Sequence, residues 1–380
     1  MVKKLIGCAV VLLLAGTQML NAQVSTSAVP FLLIAPNSRA GGMGEAGVAL
    51  ADDATALYWN PAGLAFQEGS EISISHANWL PAFNLSDLFI DYLAYRRQMP
   101  ELDGTIGASI TYLNLGTFNR TVNDPTVLET FKAYEFAVTA GYSTKLSDVL
   151  SIGLNGRFIY SRLSPFGAAE EQGKGVSSDF SFDVGMLYKP TTLEIPFTGL
   201  DIGEHFSAGF DLSNLGPQMS YIDRAQADPL PTNLRLGIGY KIISSQFNNL
   251  TAIIDVNKLL VRNRGDGTSD PFYKAIFTSW TDKPFREELR EFDTSVGFEY
   301  WYGSPRWIGL RGGYFYEDPA YGNRKFMTFG AGIRYDVYGF DFSYISTSEQ
   351  NHPLGDTLRF TLLISWGGIS AQPTEVTPTN

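Results

Sequence analysis

Residues 132–144 read Lys-Ala-Tyr-Glu-Phe-Ala-Val-Thr-Ala-Gly-Tyr-Ser-Thr. One parity carries Tyr134, Phe136, Val138, Ala140 and Tyr142, while the other carries Glu135, Ala137, Thr139, Gly141 and Ser143. Alternation of period two marks a strand with one apolar face. A soluble sandwich shares that pattern, so one strand does not decide the fold. The glycines do: Gly153, Gly185, Gly209, Gly237, Gly239, Gly297, Gly309, Gly330 and Gly332 all fall on the non-apolar parity of comparable segments. Small and polar within and apolar without is the pattern of a β-barrel whose solvent is lipid.

Working outward, the alternation recurs at 70–78, 88–97, 104–114, 132–145, 149–162, 177–188, 205–213, 232–241, 249–258, 293–301, 306–315, 326–336, 338–347 and 357–366. These segments have about the 9–11 residues that a tilted spanning strand needs. In a bilayer every backbone amide must be satisfied within the protein, so such strands can span only as a closed sheet. The expected fold is therefore all-β, a 14-stranded antiparallel transmembrane barrel. In the last strand Leu363 is the single apolar residue on the inward parity. Tyr95, Tyr112, Tyr160, Tyr188, Tyr240, Trp301, Trp307, Tyr335 and Trp366 stand near strand ends and are expected in the interfacial girdles.

With the first strand running outward, the outer loops are 79–87, 115–131, 163–176, 214–231, 259–292, 316–325 and 348–356. The inner turns include 146–148, 302–305 and Val337, in keeping with short periplasmic and long extracellular connections. The inner connection 189–204 is too long for that rule. Either it packs on the periplasmic rim or the strand count slips there.

Residues 1–22 read as a signal peptide, with Lys3 and Lys4, an apolar run from Leu5 to Leu14, and Leu20-Asn21-Ala22 as the cleavage site. The one cysteine, Cys8, lies in that run and imitates a lipoprotein box, but cleavage there would waste the apolar stretch that follows. Beyond Ala22 no apolar run is long enough for a transmembrane helix. The chain carries 28 basic and 39 acidic residues, a net charge of −11, and loses Lys3 and Lys4 on processing. That balance disfavours a nucleic-acid partner, which needs clustered Lys and Arg.

Residues 23–68 do not alternate and are rich in Ala and Gly, so they are expected in the lumen as a plug, or hatch. Asp52-Asp53 is placed to cap a short helix that ends before Asn60-Pro61. The barrel then occupies 69–367, and the Pro- and Thr-containing tail 368–380 has nothing to pack.

Gly42-Met43-Gly44-Glu45-Ala46-Gly47 matches the dinucleotide pattern GxGxxG, but no buried strand precedes it and no βαβ unit follows. These glycines are expected to serve tight turns in a cramped lumen. His76, His205 and His352 have no metal-ligand spacing, and the oxygen-rich loop 263–270 lacks the glutamate spacing of an EF-hand. No GxSxG elbow is present, and no cysteine remains as a nucleophile. No cofactor, metal or catalytic group is expected, and the chain is not read as an enzyme. More unusual are the apolar residues of two outer loops: Trp79, Leu80 and Phe83 in the first, and Phe272, Phe277 and Trp280 in the longest. Exposed apolar patches mark interaction sites, and inward folding to cap the barrel is the alternative.

The block Ser38-Arg39-Ala40-Gly41-Gly42-Met43-Gly44-Glu45 to Asp52-Asp53, with Tyr58-Trp59-Asn60-Pro61-Ala62-Gly63-Leu64-Ala65, resembles the hatch of the FadL superfamily of outer-membrane barrels. Asn60, Pro61 and Gly63 are the matching hatch positions. The run from Ser27 through Pro61, the chain length and the Trp79-Leu80-Pro81 loop most resemble the PorV family of the Bacteroidetes type IX secretion system. The resemblance implies an outer-membrane protein that is neither enzyme nor open pore. Its implied partners are a SprA-type translocon, cargo proteins with C-terminal sorting domains and the sortase-containing attachment complex, all within outer-membrane lipid. The alternative on the same fold is a FadL-like passive transporter of long-chain fatty acids or other hydrophobic small molecules. The inward charges Arg157, Asp179, Asp183, Arg235, Asp255, Glu299, Arg311, Arg334, Asp341 and Arg359 speak against it, because they are expected to pair across the lumen and hold the plug.

Overall fold

Fourteen antiparallel strands close on themselves, with β1 hydrogen-bonded to both β2 and β14. This computed structural model describes residues 27–81, 87–121, 125–166, 174–222, 227–264, 268–348 and 352–367. The expected signal peptide, the loop residue Phe83 and the tail from residue 368 lie outside the described residues. The strands are β1 (Ser70–Asn78), β2 (Phe89–Met99), β3 (Gly104–Arg120), β4 (Glu129–Ser147), β5 (Leu150–Ser164), β6 (Gly175–Tyr188), β7 (Phe206–Leu215), β8 (Asn233–Ser244), β9 (Asn248–Leu259), β10 (Phe292–Tyr302), β11 (Ile308–Tyr316), β12 (Lys325–Tyr335), β13 (Tyr338–Thr347) and β14 (Leu358–Trp366). Each corresponds to one of the expected segments.

Closure pairs Ser70 with Trp366 and Ala77 with Arg359. Because the side-chain period is two, this register turns the nine glycines read from the sequence to the lumen and leaves Val138, Leu154, Phe180, Phe182, Ile238 and Phe298 exposed on the outer wall. β3 and β4 run further than the alternation suggests. A bulge between Asn114 and Gly116 keeps the ladder going, and Phe118 stacks on Phe131 at 5.9 Å beyond it. Tyr240, Trp307, Tyr335 and Trp366 face outward as girdle residues should. Trp301 does not. It shares the parity of Glu299, is 3 % exposed, and lies within the lumen with Arg311 and Arg334 at 5.1 and 5.0 Å from its ring. Aromatic character near a strand end suggested the girdle, but parity decides the side.

The long inner connection adds no strand. It folds into a small hairpin closed by a single bridge between Glu194 and Asp201.

Residues 27–68 lie inside the barrel as short turns, including the helices Ser38–Gly41 and Ala56–Trp59 and the 3-10 turns Pro30–Leu33 and Pro61–Phe66. The second helix ends before Asn60-Pro61 as expected, but its N-cap is Thr55 rather than an aspartate. Asp53 instead accepts from Thr55 N at 2.9 Å, while Asp52 pairs with Arg39. The local turn chemistry was legible; the demand of a buried arginine on Asp52 was not.

Candidate functional site: the hatch-filled lumen and its outer mouth

The inward faces of β5 to β11 approach the hatch backbone so closely that several positions have no room for a side chain. An added Cβ on Gly153 would lie 2.3 Å from Ala62 N, and one on Gly209 would lie 2.4 Å from Val48 O. Around these contacts polar side chains satisfy hatch amides that cannot reach water. Asp255 Oδ2 accepts from Gly47 N at 2.6 Å and Val48 N at 2.9 Å. Thr328 Oγ1 accepts from Gly44 N at 2.7 Å, and Ser143 and Ser151 donate to Ala62 O at 3.1 and 2.8 Å. The GxGxxG stretch is thus used as backbone against a wall, with Gly44 at φ +69°.

Asn60 explains the Asn-Pro-Ala-Gly block. Its Nδ2 donates to Val48 O at 3.1 Å within the hatch and to Met186 O at 2.9 Å on the wall, and its Oδ1 accepts from Ala62 N at 3.1 Å. Pro61 begins the next turn, and a Cβ on Gly63 would fall 2.0 Å from Ala51 O.

On β10 to β14 the hatch is held by charge. Arg39 makes a two-pronged contact with Glu299, with both distances 2.7 Å. Glu299 also accepts from Arg311 Nε at 2.8 Å, and the chain continues through Asp341, which receives Arg311 at 2.8 Å and Arg334 at 2.7 Å. Arg359 donates to Glu45 at 2.6 Å, and on β8 Arg235 donates to the backbone carbonyl Tyr58 O at 2.8 Å. Of the expected inward charges, Glu299 and Arg359 hold the plug by ion pairs and Asp255 and Arg235 by its backbone, whereas Arg157–Asp183 and Arg334–Asp341 pair between neighbouring strands rather than across the lumen. Arg39, the hatch residue at the centre, was not singled out by the sequence; a lone arginine in an Ala- and Gly-rich run was the signal available.

Above the hatch the lumen divides. Toward β1 to β5 it is apolar and packed: Phe31 and Leu32 meet Ile90, Leu113, Ala137 and Ile159, with Trp79 laid against them. Beneath the loop between β9 and β10 it holds a cavity of about 400 Å³ lined by Glu45, Arg235, Lys283, Glu291, Asp293 and Arg324 among others. The loop above it, here called the roof, contains the helices Phe272–Thr278 and Phe285–Arg290. Buried Lys258 ties it down, donating to Glu288 Oε2 at 2.9 Å and pairing with Glu291. Lys283 donates to Glu291 Oε1 at 2.5 Å. Asp270 accepts from Arg264 Nε at 2.9 Å and Thr278 Oγ1 at 2.8 Å, with Arg262 and Lys274 alongside. Burial would raise this carboxyl, but the Arg264 and Thr278 hydrogen bonds and the neighbouring positive charges hold it below the ordinary carboxylate range. A carboxylate ringed by three cations is the reverse of a calcium site. Among the described residues no His, Cys, Asp and Glu group converges to bind a metal.

The family model described as type IX secretion system protein PorV matches residues 17–265. The chain belongs to the PorV family. No curated protein matches it. Among solved structures, the Pseudomonas putida toluene transporter TodX is 12 % identical with a TM-score of 0.51, covering 87 % of this chain and 98 % of that one. The monoaromatic hydrocarbon channel CymD is 13 % identical with a TM-score of 0.50, covering 87 % and 97 %. A Pseudomonas aeruginosa FadL homologue is 14 % identical with a TM-score of 0.47, covering 87 % and 98 %. At such identities the likeness shows the fold alone. As a PorV-family barrel the protein is an outer-membrane component of type IX secretion.

The loop residues read from the sequence fall into two groups in this PorV-family barrel. Trp79 and Leu80 turn inward and pack beside Phe315, Phe326, Ile345 and Leu354. In the roof Phe272 is half-buried, while Phe277 and Trp280 are exposed, Phe277 to 74 %. Tyr273, which the sequence reading passed over, is exposed beside them.

Proposed function

We propose that the protein is a non-enzymatic docking and transfer platform. It would bind a SprA-type translocon, receive cargo proteins bearing C-terminal sorting domains and pass them to the sortase-containing attachment complex. The observation that carries this reading is the filled lumen: the hatch occupies the barrel through buried ionic contacts and backbone laid against glycines. What remains for function is the outer surface, where Tyr273, Phe277 and Trp280 stand on a roof braced by Lys258. Rigid aromatic anchors are the residue type that dominates binding energy at interfaces.

Conduction of hydrophobic solutes fits less well. The apolar part of the lumen is packed by Phe31 and Leu32, and the open part sets charged groups such as Glu45, Arg235 and Arg324 among apolar ones such as Leu33, Trp59 and Phe315. A greasy solute would have to desolvate those charged groups without supplying partners.

The test is affinity capture of the tagged protein from gently solubilised outer membranes, wild type against alanine at Phe272, Phe277 and Trp280. The reading expects a very large barrel and sorting-domain proteins with the wild type, reduced at least about tenfold in the variant, the scale of one strong interface anchor. Equal capture by both overturns the assignment of these residues. Capture of the barrel alone, with crosslinking, overturns the platform reading itself.

A further inference from the structure

At the end of the barrel opposite the roof, residues 189–205 join β6 to β7 as a braced hairpin. Ile202 N donates to Leu193 O and Ile195 N to Leu200 O, both at 2.9 Å. Asp201 Oδ1 accepts from Leu193 N at 2.7 Å and Gly203 N at 2.8 Å, and these two amides hold its carboxyl below the ordinary range. The legs touch, since a Cβ on Gly203 would lie 2.5 Å from Thr192 Cα. The base is fastened to β8, where His205 Nδ1 donates to Lys241 O at 2.7 Å and Lys241 Nζ to Glu204 O at 3.3 Å.

The tip is a turn closed by Thr198 N donating to Ile195 O at 3.2 Å, with Pro196 and Phe197 at its centre. Proline suits the first central place of such a turn, and the second, at φ +69°, is one that glycine fills without strain. Phe197 occupies it, with its side chain entirely in solvent at 108 % relative exposure. Gly199, at φ +66° and with open space where a Cβ would stand, shows the residue the chain uses where only turning is required. A strained backbone under an aromatic ring that touches nothing is an outlier that packing does not explain. Leu200, 55 % exposed, continues the apolar tip. Around it stand Glu194, Asp201 and Glu204; of the nearby cations, Lys241 is held at the base on Glu204 O and Lys189 is turned to the ring of Phe66 at 4.9 Å.

We propose that this hairpin is a docking finger, with Phe197 as its anchor, for a periplasmic protein that offers an apolar pocket rimmed by Lys or Arg. The acidic stalk selects that partner over a membrane surface, whose phosphates it would repel. This inference is independent of the outer-mouth reading.

A photo-crosslinking amino acid in place of Leu200, activated in intact envelopes, tests it. The expected result is a protein adduct of defined mass that Phe197→Gly lowers at least about tenfold and that Glu194→Lys and added salt also weaken. Phe197→Gly relieves backbone strain, so the barrel should still migrate as folded before heating. Adducts to lipid alone, absence of any adduct, or an adduct indifferent to Phe197→Gly would each overturn the proposal.

Discussion

The hatch and the roof are both fastened to the barrel by buried ion pairs, yet only the hatch also lays its backbone against the wall. Arg39 and Glu299 at one site and Lys258 and Glu288 at the other are similar devices. At the hatch, close contacts leave only gaps of about 10 Å³; beneath the roof, a cavity of about 400 Å³ remains. The difference assigns two mechanical roles. An element held by many close backbone contacts moves only if the barrel does, whereas one held by a few ion pairs over empty space can open locally.

The largest expected effect breaks the glycine half of that comparison. Gly153→Val would drive a side chain into Ala62 N and Pro61 C, both backbone atoms at 2.3 Å from the first added carbon. No rotamer relieves this, so the cost should reach or exceed the upper end of the 1–3 kcal/mol (~3) typical of overpacking. The heat-modifiable gel shift of the assembled barrel should be lost. A folded barrel of wild-type urea resistance would mean that the hatch sits more loosely than these contacts imply.

A smaller effect separates the two ionic fastenings. Glu299→Ala leaves Arg39 with Asp52 and Asp53 and Arg311 with Asp341, so neither charge is stranded and the cost should fall below that of an uncompensated buried charge, about 3–5 kcal/mol. Lys258→Met leaves Glu291, which lines the cavity and keeps Lys283, and Glu288, which keeps Lys283 N, so its effect should be confined to the roof. Urea midpoints measure the first, and limited proteolysis within 268–291 the second. Equal global destabilisation by both changes would erase the distinction between hatch and roof.

Much of this was legible in the sequence because a barrel in lipid writes one rule on every strand. Parity placed the glycines, the charges and even the lone apolar Leu363, which is buried as that parity requires. Trp301 was misplaced where residue type was preferred over parity. What could not be read was long-range partnership. Arg39 meets Glu299 across 260 residues, and Asp52 is drawn from a helix cap to that arginine. Lys258 looks like an ordinary strand-end lysine until the roof folds over it. The two roof helices were missed because each is under eight residues long and held by tertiary ion pairs more than by periodicity. Of the six loop residues read as a partner surface, the proposal keeps Phe272, Phe277 and Trp280, because Trp79 and Leu80 pack inward and Phe83 lies outside the described residues.

The smallest and most discriminating effect is the response to acid. Burial pushes the Glu288 carboxyl up, but hydrogen bonds from Lys258 and from Lys283 N outweigh it and hold the group below its usual range. Asp270 is depressed in the same way. With unfolded values of about 4.3 for Glu and 3.9 for Asp, both contribute stability above roughly pH 4. That contribution is lost as pH falls through the lower folded values. Asp282 works in the opposite sense. Burial and then its neighbour Glu288 push it up, so its protonation on the way down slightly favours the closed roof before the other two let go. Hydrogen-exchange protection factors, which remove the intrinsic pH dependence of exchange, should therefore hold or rise a little in 268–291 as pH falls from 7 to about 4.5. They should then drop, while those of 38–64 in the hatch stay high because its backbone contacts with glycine do not titrate. If hatch and roof lost protection together, the ion pairs would be setting the stability of both, and the glycine-lined wall would not be what makes the hatch the fixed part of this barrel.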